Sequence, residues 1–566
     1  MASYADKPWL KSYKLGPYKL AQTKEPYPKM PLYKILDDTA TEYGHRAAIS
    51  YLGREISYGE LKLYADKLAT ALAELGVKKG DRVATIIPPC PQYIISDFAI
   101  LKIGAAHVPC STLHKADELI YEVGDSGAET VICSDMSLDL VNSIKNKTKI
   151  KRVIVTSPMD YSLNEPELKE TPGVYQFRNL IAEYPPEPPE VEIDPVEDLA
   201  ILVFTGGATG LPKGVMLTHY NRVVNVMQSF AWAFEPYMKA IRGKASVLVP
   251  LPIFHQAGHA FIHAAIYLGL KIYLVPDPRD TAMIVEMLNK YRPFAALGVP
   301  IQYSKMCLEG LRRMQTTFVS GAAPLAPEVS KTFKKKTGMP ITEAYGLTET
   351  GPTTHFNLSS FAKITGFMPF EKLGSIGVPI PDTEAKIVDL ETGEEVPFGE
   401  EGELWVRGPQ VMKGYWPEPG SGLVDGWLPT GDVARMDEEG YFYITDRVKD
   451  MANVSGFKVY TTLVDNVLYE HPAVLEAVAI GIPDPERPGS ERIKAFVKLK
   501  EEQRGKITAD DIISHCKGRL SPYAVPKFVE FREELPLTVT EKLFKRKLRE
   551  EEIAKMKESA SHSTDL

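Results

Sequence analysis

Chemistry is concentrated first in one run, Thr205-Gly206-Gly207-Ala208-Thr209-Gly210-Leu211-Pro212-Lys213-Gly214. Its glycines let consecutive backbone N–H groups close on an anion, its threonines add hydroxyl donors, and Lys213 adds a positive charge on a long stem. The residues before it, Leu199-Ala200-Ile201-Leu202-Val203-Phe204, are unbroken apolar sequence and read as a buried strand. A glycine-rich loop leaving a rigid support makes a clasp for a polyphosphate; a surface turn without a ligand is the plain alternative. The run is not the common nucleotide-hydrolase loop, which needs Ser or Thr directly after Gly-Lys. Here Gly214 and Val215 follow the lysine.

Other candidates lie downstream. Tyr345-Gly346-Leu347-Thr348-Glu349 follows a strand-like Pro340-Ile341-Thr342-Glu343-Ala344 and offers an aromatic face, a close backbone turn, a hydroxyl and a carboxylate. Those groups suit a purine nucleotide with its magnesium, and equally a structural turn. Gly321-Ala322-Ala323-Pro324 lets an adenine lie against backbone, or starts a helix. Thr430-Gly431-Asp432 puts a carboxylate after a tight turn, fit to accept from both ribose hydroxyls, with Arg447 as a brace. A turn cap and a surface ion pair are the ordinary readings of those two. Lys542 begins a basic run ending at Lys547. It is either part of a basic terminal helix or an ammonium that stabilises charge growing on a phosphoryl centre.

Two or more domains are needed to hold these groups, because 566 residues exceed one compact core. With 44% hydrophobic and 25% charged residues the chain is ordinary folded protein, and a net charge of -8 argues against general nucleic-acid binding. The five cysteines are scattered, so neither a disulfide framework nor a metal-ligand cluster is expected. The amino terminus lacks the apolar core of a secretion signal, and the expected setting is the cytoplasm. The most membrane-like window, 259–275, contains His263, Lys271 and Gly269 and reads as a buried helix running into a buried strand. Lys334-Lys335-Lys336 reads as the solvated end of a helix.

Helix periodicity at 58–75 and 93–103 alternates with strand-like runs at 83–87, 105–109, 130–133 and 152–155, which predicts layered α/β architecture. A Pro- and Glu-rich connection spans 183–195, and 373–430 has the texture of short strands and turns. Residues 1–446 are expected to form the large domain, 447–451 a hinge, and 452–566 a small domain whose last ten residues are disordered.

Taken together and in this order, with Leu251-Pro252-Ile253-Phe254-His255 and Asp446-Arg447-Val448-Lys449-Asp450 between them, the motifs resemble the adenylate-forming superfamily. That superfamily contains acyl-CoA synthetases, luciferases and peptide-synthetase adenylation domains, and the resemblance covers residues 30–550. It implies an α/β fold: a large N-terminal domain of several subdomains and a small mobile α+β C-terminal domain. It also implies that Thr205, Gly206, Gly207, Thr209, Gly210 and Lys213 hold ATP phosphates, and that Glu349 with Thr205 organises Mg²⁺. Gly321, Ala322, Ala323, Pro324, Tyr345, Gly346 and Thr348 would border the nucleotide, and Asp432 with Arg447 would bind ribose. His255 would stand by the substrate carboxylate at the mouth of an acyl pocket shaped by Phe230, Trp232, Phe234 and Tyr345. Lys542 would contact the carboxylate and α-phosphate; Lys449 would be the hinge that later brings Gly456 and its loop to the nucleotide.

The implied activity is that of a medium- or long-chain fatty-acid–CoA ligase, forming acyl-AMP from a carboxylic acid and ATP and then acyl-CoA. An aryl- or acyl-adenylating ligase with another thiol acceptor, and a catalytically weak nucleotide or acyl-CoA binding protein, are the alternatives. The expected partners are a carboxylic acid and coenzyme A, without nucleic acid or a transmembrane segment. A homodimer and peripheral membrane association are compatible with the sequence. The chain departs from the family pattern at four places. Gly206 and Ala208 replace hydroxyl residues, Glu541 replaces a glycine beside Lys542, and Asn453 stands where a basic residue is common.

Overall fold

The computed structural model describes residues 3–167, 171–205, 212–361, 372–538 and 542–563. Two nine-stranded sheets form the body. In the first, Arg82–Ile86, Ala106–Pro109, Thr130–Ser134 and Arg152–Thr156 run parallel, joined by crossover helices. Leu199–Thr205 adds parallel to Ala106–Pro109 and pairs antiparallel with Lys213–Thr218. Covered on both faces, these strands are apolar at nearly every position instead of alternating. The second sheet carries Ser246–Val249, Lys271–Leu274, Ala295–Gly298, Thr317–Ser320 and Ile341–Gly346 in parallel, then turns antiparallel at Thr353–Phe356.

Local sequence sets the boundaries of the helices. Tyr58–Glu74 starts in a reciprocal capping box: Ser57 Oγ accepts from the Glu60 N–H at 3.2 Å, and Glu60 Oε2 accepts from the Ser57 N–H at 2.8 Å. Leu61, Ala65, Leu68 and Leu72 then recur three and four apart and are buried. Helix Pro91–Lys102 is buried along its whole length. It meets Gln256–Tyr267, a helix of the second-sheet segment, through Asp97. The window at 259–275 is accordingly the end of that helix, a left-handed turn at Gly269 and the strand Lys271–Leu274. Among the described residues no helix is long and apolar enough to cross a membrane.

Residues 384–447 form a four-stranded antiparallel sheet, in agreement with the strand-and-turn texture of that stretch. Beyond Arg447 the chain builds a smaller unit, with the hairpin Ala452–Val454 and Phe457–Val459, and a sheet of Val474–Pro483, Glu491–Leu499 and Phe528–Phe531. Helices Thr461–Tyr469 and Ala509–Lys517 close a core of its own around Val464, Leu468, Ala477, Val497 and Ile512. The last helix, Lys545–Ser563, differs from the disorder expected for the final ten residues, since its backbone stays helical through Ser563. Residues 546–560 contain neither Gly nor Pro and are rich in Lys, Glu, Arg and Ala, which favour a helix. Leu548 anchors this helix among Val478, Ile480 and Phe496.

Leu548→Ala is therefore expected to cost about 2–5 kcal/mol of local stability. Limited proteolysis should cut the terminal helix sooner in the variant than in the parent.

Candidate active site

Asp432 lies opposite Arg447 on paired antiparallel strands, where cross-strand side chains touch. Arg447 Nε donates to Asp432 Oδ1 at 2.8 Å, and the Tyr345 hydroxyl donates to Oδ2 at 2.6 Å. The carboxylate is thus gripped from two different sheets and keeps lone pairs for further donors. Its charge is the main reason that the Arg447 guanidinium is held above its ordinary range. Burial first, and Asp432 next, keep the Tyr345 phenol well above its own. Gly346 must be glycine, because a Cβ there would lie 1.7 Å from the Pro352 carbonyl oxygen.

Gly321 leaves the carboxyl end of the neighbouring strand Thr317–Ser320, and Ala322 follows it at φ +69°, a left-handed backbone that favours small residues. Ala322 and Ala323 are half-buried and Pro324 is exposed, so this run forms a rim at the carboxyl edge of the parallel sheet. Open α/β sheets bind ligands at that edge.

Thr205 and Lys213 are register partners, so the two ends of the glycine-rich run are pinned together. Gly206, Gly207, Ala208, Thr209 and Gly210 lie outside the described residues. Lys213 Nζ stands 4.8 Å from the centroid of the Tyr415 ring, and the Tyr415 hydroxyl donates to Glu349 Oε1 at 2.9 Å. Tyr415 thereby links the lysine to the carboxylate, a role for which the sequence carried no signal beyond an aromatic after Gly414. Thr348 and Glu349 occupy a short 3₁₀ turn, Thr348–Thr350. From helix His219–Gln228, Asn225 Nδ2 donates to the Thr353 carbonyl at 2.8 Å, and the buried Arg222 donates to the carbonyl of Gly351. The loop after Glu349 is therefore held by the helix that follows the glycine-rich run. Glu349 and Thr205 both present oxygen, the hard donor that Mg²⁺ takes.

His255 caps helix Gln256–Tyr267, its Nδ1 accepting from the Ala257 N–H at 3.3 Å. That bond leaves the proton on Nε2. Burial, helped by the charge of Lys542, lowers the imidazole to about 3, so it is neutral at physiological pH. Lys542 itself is lowered to about 8 by burial and then by Arg447, against the pull of Asp432 and Glu349. Lys449 is lowered by burial and by the same Arg447. A lysine of the smaller unit is thus electrostatically joined to His255, Glu349, Asp432 and Arg447 of the body.

The remaining expected positions lie differently. Gly456 is at an exposed hairpin tip, its N–H donating to Asn453 Oδ1 at 3.0 Å, and this hairpin bonds to Ser490 and Glu491 of its own unit. Glu541 lies outside the described residues. Trp232 packs edge-on against Tyr13 and donates its indole N–H to the Ala21 carbonyl at 2.8 Å, which commits it to the amino-terminal arm. Phe230 meets Phe261 of the His255 helix, with ring centroids 4.9 Å apart, and Phe234 meets Phe294. Glu343, two residues before Tyr345, was missed; burial raises its carboxyl to about 8 although the Gly374 backbone N–H counteracts it. Asp97, His259 and His263 also converge, two histidines and a carboxylate from separate helices, a grouping that the scattered cysteines do not report.

The family model described as AMP-binding enzyme matches residues 36–416, and the one described as AMP-binding enzyme C-terminal domain matches residues 463–542. The chain belongs to this family of AMP-binding enzymes. A long-chain-fatty-acid–CoA ligase of Bacillus subtilis is 37% identical over 575 residues, covering 97% of this chain and 98% of the relative. ATP-bound MatB from Rhodopseudomonas palustris superposes with a TM-score of 0.79 at 27% identity, covering 92% of this chain and 98% of MatB. The anthranilate CoA ligase AuaEII, solved with anthranoyl-AMP, gives 0.81 at 25% identity, covering 98% and 100%.

Tyr415→Phe removes one hydrogen bond from Glu349 and leaves the ring beneath Lys213. A net loss of about 0.5–1.5 kcal/mol corresponds to adenine-nucleotide binding weaker by about two- to twelvefold. Calorimetric titration with a nonhydrolysable ATP analogue checks this, with the unfolding midpoint expected to stay in place.

Proposed function

We propose that this protein is an AMP-forming fatty-acid–CoA ligase. The observation that carries this reading is the position of Lys542, which comes from the smaller unit yet shares an electrostatic neighbourhood with His255, Glu349, Asp432 and Arg447. In the first half-reaction a carboxylate oxygen of the fatty acid attacks the α-phosphorus of ATP. The bond to the bridging oxygen breaks and pyrophosphate leaves with the electron pair. A fatty carboxylate is already ionised near pH 7, so the protein needs chiefly to align it and to neutralise phosphate charge.

Asp432 accepts from the ribose hydroxyls with Arg447 as its brace, and Tyr345 with Gly346, Thr348 and the 321–324 rim borders the base. Thr205, Lys213 and the glycines between them hold the phosphates. Glu349 and Thr205 would hold Mg²⁺, which would supply further charge neutralisation. The Nε2–H of neutral His255 donates to the incoming carboxylate, and Lys542 bridges that carboxylate and the α-phosphate. On the helix that His255 caps, Phe261 packs against Phe230, apolar side chains of the kind that suit an aliphatic tail. The long-chain-fatty-acid–CoA ligase relative supports this choice of acid.

In the second half-reaction the CoA sulfur attacks the acyl carbonyl, the thiol proton passes to solvent, and AMP leaves. For this the unit after the hinge at 447–451 rotates, withdrawing Lys542 and bringing in the Gly456 hairpin. Arg447 and Lys449 oppose the charge of Lys542, so departure of pyrophosphate, which removes negative charge, would raise that repulsion and favour the rotation. The proposed setting is the cytoplasm, where ATP and CoA are supplied.

Incubation of the purified chain with Mg-ATP, CoA and a panel of acids is expected to give acyl-CoA, AMP and pyrophosphate; ADP as product would sink the assignment. Lys542→Ala should reduce acyl-AMP formation far more than acyl transfer from supplied acyl-AMP, and equal losses would remove Lys542 from the first step. The ammonium is charged below its pKa, so kcat/KM for ATP should fall as pH rises through about 8. With substrates bound, phosphate stabilises the ammonium, and the corresponding limb in kcat should move to higher pH.

A further inference from the structure

Helix Gln256–Tyr267 presents His259 and His263 one turn apart, and both face Asp97 of the buried helix Pro91–Lys102. His263 Nε2 lies 2.7 Å from Asp97 Oδ2, and His259 Nε2 lies 3.1 Å from Oδ1. His107 Nδ1 approaches the same Oδ1 at 2.6 Å while its Nε2 meets Thr85 Oγ1 at 2.7 Å. None of these four residues is more than 2% exposed.

One carboxylate does not call for three imidazoles. His259 lies near Asp97 but neither of its ring nitrogens is aligned in a hydrogen bond, and His263 Nδ1 likewise has no partner. The hydroxyl of Tyr93, whose ring stands 5.6 Å from that of His259, is also unmatched. Each buried polar group left unmatched costs about 1–3 kcal/mol, so a structural role alone would favour apolar side chains at these positions. We propose that Asp97, His259 and His263 bind a divalent transition metal ion of the zinc class, with His107 holding the Asp97 carboxylate in position.

Two histidines four residues apart on one helix face, completed by a carboxylate from elsewhere, make a three-ligand set for such an ion. Bonds of 2.0–2.1 Å in a tetrahedron separate neighbouring ligand atoms by about 3.3 Å. The present separations, 2.7 Å to Oδ2 and 3.1 Å to Oδ1, are to different carboxylate oxygens, and one ligand atom from each of the three residues lies within 4.8 Å of the others. Arg222 opposes a dication from helix His219–Gln228, although its guanidinium is turned to the Gly351 carbonyl and to Gln256. Imidazole ligands select against Mg²⁺, which keeps this site chemically separate from the nucleotide's ion. An ion there would fasten the helix that begins after His255 to the first sheet.

Titration of Co²⁺ into the chelator-treated full-length chain, without nucleotide, is expected to develop the visible absorption of tetrahedral cobalt and saturate at one equivalent. Zn²⁺ should abolish that signal by displacement and raise the thermal unfolding midpoint. His259→Gln and His263→Gln should each weaken cobalt binding at least about tenfold, and His107→Gln about ten- to a hundredfold. Glu349→Gln should leave it unchanged. Circular dichroism without metal confirms that each variant folds. Absence of a saturable signal in the parent chain overturns the proposal whatever the variants do. So does unchanged affinity in folded His259→Gln and His263→Gln chains.

Discussion

An ammonium group brought out of water and set beside a guanidinium is stable only if negative charge is close by, and that constraint organises this molecule. Lys542 is in this position, opposed by Arg447 and Lys449 and drawn by Asp432 and Glu349. Asp432 can serve because Tyr345 and Arg447 fix it from two sheets, and Glu349 can serve because Tyr415 holds it from a third sheet while Asn225, on a helix, anchors the loop that follows it. The carboxylates are held rigidly while the lysine arrives on a separate unit with its own core. Asp432 and Glu349 are therefore fixed in the body together with Arg447, and the Lys542 ammonium comes from the smaller unit.

The pairing of body and smaller unit also depends on backbone near the strand end at Arg447. Asp446 accepts from the Thr461 backbone and from the Thr462 hydroxyl at 3.0 Å, tying the first helix of the smaller unit to the last strand before it. Lys545 reaches Asp465 at 2.7 Å and Thr461 Oγ1 at 2.8 Å, so the terminal helix joins the same cluster. Lys542 sits three residues from that anchor. Its placement follows from how the smaller unit is assembled, without a long flexible reach of its own.

Much of this was legible in the chain because the chemistry is local in sequence. A strand followed by a glycine-rich run, Tyr345 four residues before Glu349, and Asp432 after a turn each carry their meaning in a few residues. The alternation of helical and strand periods likewise gave the α/β layers. What stayed hidden depends on contacts between remote segments. Tyr415 gains its role only when its strand pairs beside Val215. Asp97 and His263 meet across 166 positions, and no local pattern announces it. His263 read only as a polar interruption of an apolar window that began at His259.

One buried guanidinium ties together parts that the chemistry treats separately. Through Gln256, Arg222 touches the helix capped by His255; through the Gly351 carbonyl, it touches the turn that carries Glu349. A crossbar of this kind makes the His255 helix and the Glu349 turn dependants of one strut, so a substitution that displaces either would be felt at the other and would need compensation at a distance.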